Sequence, residues 1–136
     1  LKAILLFLLV TVVIGLFFWL NELLGLILFF NPIVREIQAA PNEEVWGKRV
    51  QLHPNQFENN EDRKSVVHKL KNAGFERTPD DKVWPRYSHE IEGGRELYTR
   101  EANSTVCRIK IYVFVAFNES EKLIFAEGTQ HEHGCL

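Results

Sequence analysis

Val106-Cys-Arg-Ile-Lys-Ile-Tyr-Val-Phe-Val-Ala-Phe117, or VCRIKIYVFVAF, repeats with a period of two. Cys107, Ile109, Ile111, Val113, Val115 and Phe117 fall on one side. Arg108 and Lys110 begin the other side, which Tyr112, Phe114 and Ala116 then make apolar as well. Successive side chains of a strand point to opposite faces of its sheet. The stretch therefore predicts a central strand whose second half is covered on both faces.

Working outward, Asn118-Glu-Ser-Glu121 reads as a turn and Lys122 to Glu127 (KLIFAE) as a strand returning beside the first. Arg95 to Glu101 (RELYTRE) makes a third strand and Lys82 to Ser88 (KVWPRYS) a fourth, with Pro85 confining that one to an edge or a bulge. Upstream, Glu61 to Ala73 reads as an amphipathic helix with Val66, Val67, Leu70 and Ala73 along one stripe. Asn59 or Asn60 suits its N-cap, Gly74 the left-handed position after its end, and Phe75 a contact back onto Leu70. One helix packed on three or four antiparallel strands is an α+β domain, placed at 61–136.

The first 30 residues differ in kind. Lys2, Thr11, Asn21 and Glu22 are their only polar side chains, and Ala3 to Leu20 is an apolar run of 18 residues. About 20 such residues, as a helix, cross roughly 30 Å of hydrocarbon. The run is too long for the core of a cleavable signal, about 7 to 15 residues, so a retained single-pass anchor is expected over 1–30. With Lys2 at one headgroup layer, the polar break Asn21-Glu22 falls at the other, and Leu23 to Phe30 forms an interfacial extension. Asn31-Pro32 interrupts the helix. Ile33 to Ala40 then supplies two further turns, and the Pro- and Asn-rich connector continues to residue 60, with one short strand at Arg49 to Leu52.

Beyond Phe30 there are 15 Lys and Arg against 17 Asp and Glu, so no bulk attraction to nucleic acid is expected. Lys2 on one flank, with Arg35, Lys48 and Arg49 on the other, does not set an orientation. Two cysteines in a small domain suit an oxidising compartment, which places that domain on the extracytoplasmic side.

GTQHEHGCL (128–136) reads as a tail with two alternatives. In the first, Cys107 at the start of the central strand meets Cys135, closing a 29-residue disulfide loop that stabilises the domain by about 3 to 4 kcal/mol. In the second, His131, His133 and Cys135, two apart in extended chain, hold a metal ion, with His89, His53 or His68 completing the set. The disulfide is preferred, since H-x-H-x-C is a weak spacing signature and a bridge removes its sulfur.

Glu90, Glu92, Glu96 and Glu101 read as a solvated ion-pair face with Arg95 and Arg100 rather than as paired catalytic carboxylates. Gly93-Gly94 is a turn, not a phosphate loop. Trp46, Trp84, Tyr87, Tyr98 and Tyr112 are candidates for a recognition surface. No catalytic residue and no cofactor is assigned. The expectation is a non-enzymatic, membrane-anchored accessory protein in contact with lipid and with another membrane or envelope protein. The alternative is a metal-binding or redox protein that uses the His/Cys tail.

Overall fold

The computed structural model describes residues 9–20, 31–40, 48–103 and 107–134. The chain falls into two compact units, Leu1–Asn31 and Pro32–Leu136. In the first, residues 9–20 form helix α1, apolar apart from Thr11, with every one of these residues exposed. Among the described residues no helix is long and apolar enough to cross a membrane. At 1.5 Å per residue α1 rises about 18 Å. The remainder of the expected anchor, including Asn21 and Glu22, lies outside the described residues.

The second unit is α+β: helices packed with a five-stranded antiparallel sheet in the order β1-β5-β4-β3-β2. Its strands are β1 (Val50–Gln51), β2 (Glu76–Arg77), β3 (Glu96–Asn103), β4 (Arg108–Phe117) and β5 (Leu123–His133). β4 is central, as its two apolar sides require, pairing with β3 through Tyr98↔Val113 and with β5 through Val113↔Gly128. Its odd-numbered residues Ile111, Val113 and Val115 join Tyr98 and Ala126 under α2 (Pro32–Ala39) and α3 (Arg63–Asn72), which contribute Ile33, Val34, Ile37, Val66 and Leu70. The even-numbered Tyr112 and Phe114 build a second, smaller core with Tyr87 and Leu97 on the opposite face.

Three expectations are corrected. KVWPRYS is not a strand: Asp80–Lys82 and Pro85–Tyr87 are 3-10 turns leading into α4 (Ser88–Glu92). The proline ring fixes φ for a turn start and removes the ladder donor, and Ser88 Oγ donates to the Pro85 carbonyl at 2.8 Å. The two outer strands of the sheet are instead the two-residue β1 and β2. Helices also cover more than one face, α4 and the turns before it lying over the second core. Finally, the last strand does not stop near Glu127: β5 runs on to His133, pairing Lys110↔His131 and Arg108↔His133. Thr129, Gln130, Glu132 and the histidines lack an apolar alternation, so this extension is imposed by the partner strand β4 rather than by local preference.

α2 lies on β5 because Gly128 leaves room for it. A Cβ at Gly128 would stand 2.5 Å from Ile37 Cγ1 and closer still to its Cδ1, with Leu52 Cδ1 at 3.3 Å. The other face of α2 is tied by Glu36, which accepts hydrogen bonds from Asn55 Nδ2 at 3.1 Å and from Gln56 Nε2.

Candidate functional site

The second face of the sheet concentrates the polar chemistry of the domain. Its cover begins at Asp80, and within it Glu90 of α4 is 6% exposed. A buried carboxylate requires charged partners. Arg49, just before β1, reaches Glu90 Oε1 at 2.7 Å and β5 Glu127 at 3.3 Å; Arg95 donates to Glu90 Oε2; His89 Nε2 lies 3.3 Å from Oε1. Both guanidinium groups also stack on the second core, Arg49 over Phe114 at 5.0 Å and Arg95 over Phe125 at 3.9 Å. Burial by itself would raise the Glu90 carboxyl, but hydrogen bonds and charge from Arg49 and Arg95 outweigh it and hold the group below its ordinary range. A cavity of about 360 Å³ beside this cluster is lined by His89, Glu90, Gly93 and Arg95. The carboxylates are therefore not all a solvated face: Glu90 is buried, and Glu96 on β3 is half-buried with Arg63 and Arg77. No local spacing announces the Arg49 contact, because its partner lies 41 residues along the chain.

Toward the far end of the same face, the alternation of β5 places His131 and His133 side by side. Their rings are parallel, 9° apart in plane and 5.9 Å between centroids. Trp84 meets His131 edge-on at 5.8 Å. His131 is 8% exposed, and burial first, then His133 and Arg86, depress its basicity. His133 Nδ1 and the Tyr112 hydroxyl are buried with no hydrogen-bond partner among the described residues.

The two histidines are thus together, as the two-residue spacing predicts, but on a paired strand rather than a tail. Among the described residues no three His, Cys, Asp or Glu side chains converge on a metal position, and the nearest cross-strand neighbours of the pair are the cations Arg108 and Lys110. His53, His68 and His89 lie elsewhere: His53 follows β1, His68 bonds Asn72 at 3.0 Å and His89 faces Glu90. Cys107 is disulfide-bonded, while Cys135 lies outside the described residues.

Of the candidate recognition aromatics, Tyr87, Tyr98 and Tyr112 are buried. Burial pushes each hydroxyl up to about 12. They pack the two cores, Tyr98 in the larger one and Tyr87 in the smaller, 5.2 Å from Tyr112 and 5.1 Å from Phe114. Trp84 does reach solvent, at 44% exposure. Trp46 lies outside the described residues. No protein-family model, no curated protein and no solved structure matches this chain.

Proposed function

We propose that the chain is a single-pass membrane-anchored accessory protein whose α+β domain, on the extracytoplasmic side, binds another membrane or envelope protein and acts by contact rather than by catalysis. The observation carrying the anchor is α1: it is exposed on all sides and has no polar face to turn toward water. It belongs to the longer apolar run Ala3 to Leu20, which suits hydrocarbon. In support of binding over catalysis, the buried carboxylate Glu90 is held ionised by two guanidinium groups and so is not poised near neutrality as a general acid or base. Trp84, an exposed aromatic beside the histidine pair, is the residue we assign to the partner contact.

For the oxidising side, the support is the bonded state of Cys107. The pairing Arg108↔His133 carries the chain after β5 toward Cys107, and we propose Cys135 as its partner. Membranes containing the native chain, washed with alkaline carbonate, test the anchor; release into the supernatant ends it. A photo-crosslinker at Trp84 tests the contact. Detergent-solubilised native protein that runs as a lone monomer, with no adduct from that position, ends the interaction reading.

A further inference from the structure

α3 is unusual in this acidic chain: its sequence, RKSVVHKLKN, has four Lys and Arg and no acid. Folding uses two of these cations. Arg63 pairs with Glu121 at 2.9 Å and with Glu96, and Lys69 pairs with Glu61 at 2.8 Å. Lys64 and Lys71 are exposed and have no carboxylate within ion-pair distance among the described residues. With His68 between them at i+4 and i+7 spacing, they run along one side of the helix. These three, with Arg63 and half-buried Val67, line a hollow of about 350 Å³.

A positive strip on a domain of net negative charge does not arise from overall composition, and the ion pairs above show that it is not needed to neutralise neighbours. Its charge complement is an anionic surface. The domain begins at Pro32, directly after the apolar unit. An anchor in lipid would keep it within reach of headgroups on whichever side it faces, and where that leaflet carries acidic lipid their potential decays over about 8 to 10 Å. We infer that the basic face of α3, Lys64, His68 and Lys71, rests on anionic phospholipid headgroups and so sets how the domain is presented to its partner. The inference rests on the anchor reading above. Each lysine brought to such a surface changes occupancy about fivefold, about 1 kcal/mol.

The full chain is placed in lipid nanodiscs of phosphatidylcholine, or with a third of the lipid replaced by phosphatidylglycerol, and lysines are acylated with a water-soluble reagent read by mass spectrometry. Lys82, exposed and outside α3, is the internal control. Lys64 and Lys71 are expected to react roughly threefold or more slowly in the anionic discs, with the difference lost in high salt and with Lys71 partly deprotected by Lys64→Gln. Equal rates for Lys64 and Lys71 in the two lipids overturn the inference, as does slowing that Lys82 shares in equal measure. Failure of the chain to co-migrate with phosphatidylcholine discs overturns the anchor instead. Anionic discs added to the chain in solution then decide the docking by the same comparison.

Discussion

Gly128 decides how close the first helix of the domain comes to the sheet. Ile37 occupies the space a side chain would fill, and Ile37 is itself fully buried, so it has nowhere to move. Gly128→Ala should destabilise the folded chain by about 1 to 3 kcal/mol, measured by denaturant unfolding in detergent. Because Ile37→Ala opens the same space, the double variant should cost clearly less than the sum of the two; simple additivity would show that the two sites do not meet. Glu90 acts at the same scale. Its folded pKa lies below the unfolded value of about 4.3. The stability it contributes is therefore present above that value and is lost as pH falls through the lower, folded one. Unfolding measured from pH 6 downward should show acid destabilisation in the native chain that is flatter in Glu90→Gln. The variant itself should lose about 1 to 2 kcal/mol at neutral pH, since the partly exposed Arg49 and Arg95 lose the charged acceptor they share. Neither residue was legible in the sequence. One depends on a neighbour 91 positions away and the other on Arg49, and local pattern carries no information about such partners.

Elements were legible where local chemistry and tertiary packing agree. The end of α3 follows from Gly74 and Phe75: Phe75 N–H donates to Leu70 O at 2.9 Å and Gly74 N–H to Lys71 O at 2.9 Å, with Gly74 at φ 79°. Gly74→Ala should cost about 1 kcal/mol by thermal or chemical unfolding, because alanine resists that left-handed conformation. The start of α3 was less legible. Glu61 and Asp62 look like first-turn residues, but the chain there is drawn into a bridge with the β4–β5 hairpin, Leu123 N–H donating to Glu61 O and Arg63 N–H to Glu121 O, each at 2.9 Å. The helix consequently begins at Arg63, with Asp62 as its N-cap. In the hairpin turn itself, Asn118 Oδ1 accepts from Ser120 N–H at 3.0 Å and Lys122 N–H at 2.9 Å, the local closure its position suggests. Lys82 to Ser88 misled because Val83, Trp84 and Tyr87 are residue types that favour strands, while Pro79 and Pro85 select turns.

For the whole molecule, the period-two pattern of β4 was enough to place apolar cover on both sides of the sheet, but not to identify the second cover. That role falls to a segment with two 3-10 turns, whose attachment is an ion cluster and two cation–aromatic stacks. The candidate site was legible only as a pair of histidines on one side of the chain; Trp84 and the strand beneath them come from long-range pairing. Denatured, unreduced protein prepared with alkylating agent present should contain no free thiol, given the bonded state of Cys107 and the proposed bond to Cys135. Two alkylated cysteines would overturn both the bond and the oxidising placement.

The rest of Ile37 on Gly128, together with the pairing Val50↔Gly128, also governs how the protein is made. Ile37 of α2 is translated 91 residues before Gly128, yet β5 supplies the glycine on which it rests. Until β5 has been made that contact is missing, so folding has to join the first helix of the domain to a strand far along the chain, a long-range pairing of the kind that slows folding.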